Sequence, residues 1–192
     1  MQEIILKSLR QETKNLLWRG TGRTPRQVRF RLVEEGAELD LRGAFFTRKK
    51  EQLLLRIEVV HEAPNTKSNV ILRGLVEDQA YAEVHAFAII KKGARGAQTH
   101  VEAKALLRSE HARAKLEPYL EIDEDDVRVT HSASVKPLEE EEIFYLMSRG
   151  LSRDSAEKLL LESFFAPVKA ALYQANVRIG SEYTNSLIRK DS

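Results

Sequence analysis

From Gln27 to Val129 one pattern recurs: apolar and polar residues alternate along short runs, with no stretch of helical spacing between them. Val28, Phe30 and Leu32 share one side of such a run while Arg29 and Arg31 take the other. The same period of two returns at Ala37-Leu39-Leu41, Leu53-Leu55-Ile57-Val59, Val70-Leu72 and Ala80-Ala82-Val84-Ala86-Ala88. It continues at Val101-Ala103-Ala105-Leu107, Ala112-Ala114-Leu116 and Val127-Val129. Successive side chains of a strand point to opposite faces, so this pattern predicts strands with one face packed and the other wet. Turn residues punctuate the runs at Glu35-Gly36, Arg48–Gln52, Pro64-Asn65, Glu77-Asp78, Gly93–Gly96, Ser109-Glu110 and Asp123–Asp126. Roughly ten strands in succession leave two architectures, a β-sandwich or a β-solenoid.

Many of the inward positions are small: Ala80, Ala82, Ala86, Ala88, Ala103, Ala105, Ala112 and Ala114. A narrow solenoid interior accepts such side chains better than a wide sandwich core. Strand starts are unevenly spaced, however, and periodicity alone keeps both architectures open. Before the alternating region, residues 2–8 and Asn15 to Trp18 read as short strands or an arm, and Arg19 to Thr24 as a loop.

At Pro137 the period changes. Pro137 suits a first helical turn, and Glu139 to Glu142 place negative charge where a helix dipole favours it. Ile143, Phe144, Leu146 and Met147 supply an apolar stripe, and Gly150 is placed to end the helix. Ser152 is a candidate N-cap for a second helix with Asp154 in its first turn, and Ala156, Leu159, Leu160, Ser163 and Phe164 form its stripe. Pro167 interrupts it, and a third helix is expected over Val168 to Ala175. The reading divides the chain into a β-core over 1–135, a helical part over 136–176 and a flexible tail over 177–192.

The chain has no cysteine, which removes disulfides, thiol catalysis and thiolate metal ligation. No run is long and apolar enough to span a membrane, and the N-terminal stretch lacks a signal-peptide pattern, so a cytoplasmic protein is expected. Residues 1–31 hold eight Lys/Arg against Glu3 and Glu12, whereas residues 121–142 hold nine Asp/Glu against Arg128 and Lys136. Such polarity fits either docking through complementary fields or two solvated faces. A basic arm with a single Trp and no nucleic-acid motif does not make a nucleic-acid binder. His61, His85, His100, His111 and His131 show no local metal spacing, although strands distant in sequence could bring them together. No phosphate-binding loop or nucleophile elbow occurs, and Asp123-Glu124-Asp125-Asp126 lacks calcium-loop spacing. The residues indicate a non-enzymatic, strand-rich protein.

From His61 to Phe165 the sequence resembles the SufB/SufD family of iron–sulfur cluster assembly scaffolds. The pieces that carry the resemblance are His61 with Asn65-Thr66-Lys67-Ser68, Pro118 with Leu120-Glu121-Ile122, and Asp125-Asp126-Val127. After them come His131-Ser132-Ala133, Phe144-Tyr145-Leu146 and Arg149-Gly150-Leu151. The resemblance implies a right-handed parallel β-helix followed by C-terminal helices. It implies dimerisation through the β-helix, as a homodimer or with a SufB-like subunit, and docking of a SufC-type ABC ATPase on the helices. Phe144, Tyr145, Met147, Arg149, Gly150 and Phe164 are then the expected dock, and His131 a metal or cluster candidate. His61, Thr66, Ser68, Glu121 and Asp126 are family motif positions.

Family members are usually longer, so the chain looks like a minimal SufD-like core lacking their N-terminal region. The SufB type carries cysteine at the position of Ala103 and glutamate at that of Ser132; the SufD type carries cysteine at that of Val129. Without thiolates no stably bound cofactor is expected, only a transient iron or iron–sulfur cluster at a dimer interface. The expected role is an accessory scaffold subunit. The alternatives are a non-catalytic β-solenoid that recruits a different protein partner, and a metal-dependent enzyme whose histidines converge across coils.

Overall fold

Alternation along each strand buries one side of it, and the turns after each strand carry the chain from one sheet to a second. The computed structural model describes residues 2–6, 11–20 and 24–175; the tail expected over 177–192 lies outside the described residues. Ten strands follow one another: β1 (Gln2–Leu6), β2 (Gln11–Arg19), β3 (Arg26–Leu32), β4 (Glu38–Thr47), β5 (Gln52–His61), β6 (Lys67–Val76), β7 (Tyr81–Ile90), β8 (Gln98–Leu107), β9 (Arg113–Ile122) and β10 (Arg128–Pro137). Odd strands form one sheet in the order β1-β3-β5-β7-β9, and even strands form the other in the order β10-β8-β6-β4-β2. Every pairing is parallel, as in Leu41↔Val70 and Ile57↔Ala86. Parallel neighbours that are two strands apart in sequence make a β-solenoid of about 4 turns, which removes the antiparallel sandwich.

The uneven strand spacing comes from connectors of two kinds. Measured coil to coil the repeat is steadier: Leu39 pairs with Ser68, Ser68 with Thr99 and Thr99 with Val129. Left-handed residues at the corners accept the tight turns, including Gly36 (φ 69°) and Asn65 (φ 56°). The predicted turns all fall at these corners. Arg19, expected in a loop, is the last residue of β2 and pairs with Phe46.

Between the sheets the inward rows stack without gaps, and Phe30, Leu41, Phe45 and Leu72 are fully buried. The small inward residues serve this packing. Gly74 is the register partner of Phe45, and a Cβ there would lie 2.0 Å from the Phe45 ring. The ring uses the room that a side chain at 74 would fill.

Three α-helices and a 3-10 turn follow: α1 (Glu140–Ser148), α2 (Arg153–Phe165), the turn over Ala166–Val168, and α3 (Lys169–Gln174). Leu161, Phe165, Val168 and Leu172 pack on Ala44, Phe46, Ile71, Leu75 and Leu106, the outward side chains of the even sheet. Phe165 stacks on Phe46 with ring centroids 5.1 Å apart. Arg108 of the body bonds both Glu77 and Glu157, each at 2.9 Å, and so ties α2 to the sheet. Burial opposes the Arg108 charge, but the hydrogen bonds it donates to Glu77 and Glu157 outweigh it and raise its pKa.

Two helical expectations change. Pro137 is not in a helix: it ends β10 opposite Leu107, and the first helix starts at Glu140. Proline is tolerated at that place because β10 is an edge strand with one side free of ladder bonds. The buried stripe of α2 is Ala156, Leu161 and Phe165 with Phe164 half-buried beside it, whereas the expected Leu159 and Ser163 are exposed. Tertiary contact with the sheet, not the helix's own periodicity, chose which apolar residues turned inward. The capping expectations held: Ser152 Oγ accepts from the Ser155 N–H, and Glu140 to Glu142 occupy the first turn of α1.

Candidate functional site

The last coil leaves its interior row without a further rung to cover it. β9 and β10 each end their sheet's order. Their outer backbone edges therefore lack a strand partner among the described residues, and such edges are templates for pairing with another chain. Side chains that stand inside in earlier coils here face outward along the axis. Ile122 and Val135 are 45% and 38% exposed, whereas their register partners Ile90 and Ala105 are buried.

His131 belongs to this row. It sits fourth in β10, not at the strand's end, and pairs with Val101, which pairs with Val70 and Leu41 in turn. An imidazole thus caps one end of a column whose next three rungs are aliphatic, and it is exposed because the column stops there. Ala133 and Val135 follow on the same face of β10. An exposed nitrogen ligand amid apolar neighbours can bind a soft or borderline metal only with help from other donors.

The helices form a second uncovered surface. In α1 only Ile143 is buried; Phe144 is 72% exposed, Tyr145 57% and Met147 40%. Arg149 caps the helix with its guanidinium 5.2 Å from the centre of the Tyr145 ring. Gly150 has a φ of 96°, and its N–H bonds Met147 O while that of Leu151 bonds Leu146 O. This double bond is a Schellman close, which needs the left-handed residue and turns the chain into α2. Arg153 then holds α1 to α2 by bonding Glu140 at 2.6 Å. That hydrogen bond holds the Glu140 carboxyl below its usual pKa. Beside Tyr145 a groove of about 370 Å³ is lined by Glu139, Glu141, Glu142, Leu146 and Leu160, so an apolar floor carries an acidic rim. Phe164 does not belong to the open surface: it packs edge-on against Phe165 at 5.1 Å and lies under the Arg73 guanidinium.

The motif positions divide. His61 is fully buried. Its Nδ1 lies 2.8 Å from Thr66 Oγ1 and its Nε2 lies 2.9 Å from Ser68 Oγ. Ser68 reaches Thr99 Oγ1 at 2.7 Å, and Thr66 donates to Ala63 O. Burial disfavours the charged ring and pushes the His61 pKa down to about 4. These three residues form an internal brace across one corner, and Ser68 also reaches the floor of a surface groove shared with Thr99, His100 and Thr130. Glu121 and Asp126 are exposed, and Asp126 pairs with Arg95 at 3.0 Å to join two stacked turns.

The profile described as SUF system FeS cluster assembly, SufBD core domain, matches residues 15–164. The chain belongs to the SufBD core domain family. Among SufBD relatives, an iron–sulfur cluster assembly SufBD family protein of Mycobacterium tuberculosis is 35% identical over 115 residues, 60% of this chain and 14% of that protein. The iron–sulfur cluster assembly protein SufD of Bacillus subtilis is 31% identical over 137 residues, 71% of this chain and 31% of that protein. A SufBD family protein of Staphylococcus saprophyticus is 28% identical over 136 residues. The chain spans less than a third of the length of these relatives.

The SufBD body thus puts His131, Ala133 and Val135 on one face of β10 and Ile122 at the end of β9 in the same last coil, whereas the His61 brace starts from β5, two coils earlier. Ile122 and Val135 were missed by sequence reasoning. Alternation marks them as inward, but only the stacking register shows that they stand in the final coil. No described helix is long and apolar enough to cross a membrane.

Proposed function

We propose that this protein is an accessory, non-catalytic scaffold subunit of a Suf-type iron–sulfur cluster assembly complex in the cytoplasm. The open last coil is its dimerisation surface, taking a second copy or a cysteine-bearing SufB-like relative. The exposed face of α1 and the neighbouring groove dock a SufC-type ABC ATPase. One observation carries the reading. In a chain of this family, two surfaces stay apolar and uncovered, the end rung at Ile122, His131 and Val135 and the helix face at Phe144 and Tyr145.

The absence of cysteine sets the division of labour. Iron–sulfur clusters favour thiolates, so a cluster crossing the interface takes its sulfur ligands from the partner. His131 offers one nitrogen from this side. The acidic rim of Glu139, Glu141 and Glu142 favours an ATPase surface with basic residues around an apolar knob.

The test is a titration of the full chain with a SufC-type ATPase from the same source, reading complex mass by light scattering and ATP turnover together. A stable complex with stimulated turnover supports the proposal. No complex means that the helices serve another partner, the β-solenoid binding module of the sequence reading.

A further inference from the structure

On the outer face of the odd sheet, where β7 meets β9 of the last coil, lies a group of side chains that neither the inward end row nor the helix face includes. Glu83 and His85 stand two apart on β7 and so share a face, while the register places Glu117 of β9 beside His85. We infer that Glu83, His85 and Glu117 form a binding site for a divalent first-row transition cation. One ligand atom from each side chain falls within 4.8 Å of the other two. Bonds of about 2.0–2.2 Å need ligand atoms roughly 3–4 Å apart, a gap that carboxylate rotation closes.

Two features point to a cation. Both nitrogens of His85 face carboxylate oxygens, Nε2 at 2.8 Å from Glu83 Oε1 and Nδ1 at 3.4 Å from Glu117 Oε2. A neutral imidazole has one N–H, so in that form one lone pair opposes a carboxylate, and a metal ion relieves the repulsion. Both carboxylates also accept a tyrosine hydrogen bond, Glu83 on the oxygen turned away from His85 and Glu117 on the oxygen that faces it. Tyr81 Oη donates to Glu83 Oε2 at 2.9 Å and Tyr119 Oη to Glu117 Oε2 at 2.7 Å. Outer hydrogen bonds of this kind orient metal ligands. Tyr119 further stacks on His85 at 5.6 Å with ring planes 6° apart, which limits rotation of the imidazole. Both carboxyls are held below their usual pKa, Glu83 chiefly by His85 and Tyr81, Glu117 chiefly by Tyr119 and Lys115.

The competitor is Lys115, whose Nζ is 3.0 Å from Glu117 and 3.8 Å from Glu83. Its side chain is about half exposed and can swing into water, and a divalent ion gains twice its charge against the same carboxylates. Arg56, the register partner of His85, lines the same surface groove as Glu83 and His85 but is engaged by Glu58 at 2.6 Å and lies over Phe87.

The experiment uses the full chain, tag-free and stripped with chelator. Zn²⁺ is titrated by calorimetry, and Co²⁺ by its visible absorption, which reports nitrogen and oxygen coordination. One Zn²⁺ per chain is expected in the micromolar range, weakened about 10–100-fold in H85A and in the double variant E83Q/E117Q. K115M is expected to bind tighter than the native chain, and H131A to bind as well as it. All these side chains are at least partly exposed, and circular dichroism confirms folding. The inference is overturned if the native chain takes up no Zn²⁺, if uptake survives in H85A and E83Q/E117Q, or if only K115M binds, since the lysine then holds the cation's place.

Discussion

His131 is the register partner of Val101, and the two share one inward column although the valine is buried and the imidazole exposed. The difference is the presence of a following rung. What is core in one coil is left uncovered in the last. If the end rung is the dimer surface, Ile122→Asp with Val135→Asp would weaken dimerisation at least about 100-fold. Thermal stability is expected to stay within a few degrees, because both side chains are already partly wet. Sedimentation velocity with calorimetric melting separates the two effects, and a persistent dimer places the interface elsewhere.

The corner of this last coil, between β9 and β10, carries Glu121 and Asp123 to Asp126 against Arg128. Two identical ends brought together repel. Raising salt from about 0.05 to 0.5 M shortens the screening length severalfold and is expected to strengthen self-association. A heterodimer with a basic partner end is expected to weaken instead. Sedimentation equilibrium across the series reads the sign, and a self-paired dimer that weakens with salt contradicts contact through this end.

Phe144 and Tyr145 contribute little to the fold in their exposed positions. Phe144→Ala and Tyr145→Ala are expected to weaken ATPase binding about 10–100-fold with the melting temperature unchanged. Phe165→Ala, which removes the ring stacked on Phe46, is expected to destabilise the protein by about 3–5 kcal/mol. Surface plasmon resonance beside urea unfolding distinguishes a dock from a packing residue.

His61 gives a pH signature. Its folded pKa of about 4 lies below the 6.5 of an unperturbed histidine. Between those values the unfolded chain takes a proton that the folded chain refuses, so stability is full above 6.5 and falls as pH drops towards 4. The shift corresponds to about 3 kcal/mol at its limit. His61→Gln is expected to be less stable at neutral pH yet flatter over that window in denaturant titrations. A parallel decline in both proteins would mean that other groups control it.

Gly74→Ala is expected to cost about 1–3 kcal/mol, because the new methyl meets the Phe45 ring. Phe45→Leu in the same chain is expected to recover part of the loss. Additive losses in this double-mutant cycle argue against direct contact as the cause.

Local chemistry was legible in the sequence. Alternation at Leu53-Leu55-Ile57 gave strands, Gly36 and Asn65 gave corners, and Ser152 and Gly150 gave helix ends, because each depends on neighbours a few residues away. The tertiary structure alone decided what depends on residues about thirty apart. Stacking register set Gly74 against Phe45, placed His131 at the head of an aliphatic column and brought Glu117 to Glu83 and His85. It also turned Leu161 and Phe165 inward in place of Leu159, because the even sheet presents its apolar patch to that side of the helix. A strand's own pattern says which face is inward. Only the neighbouring coil says whether that face is covered.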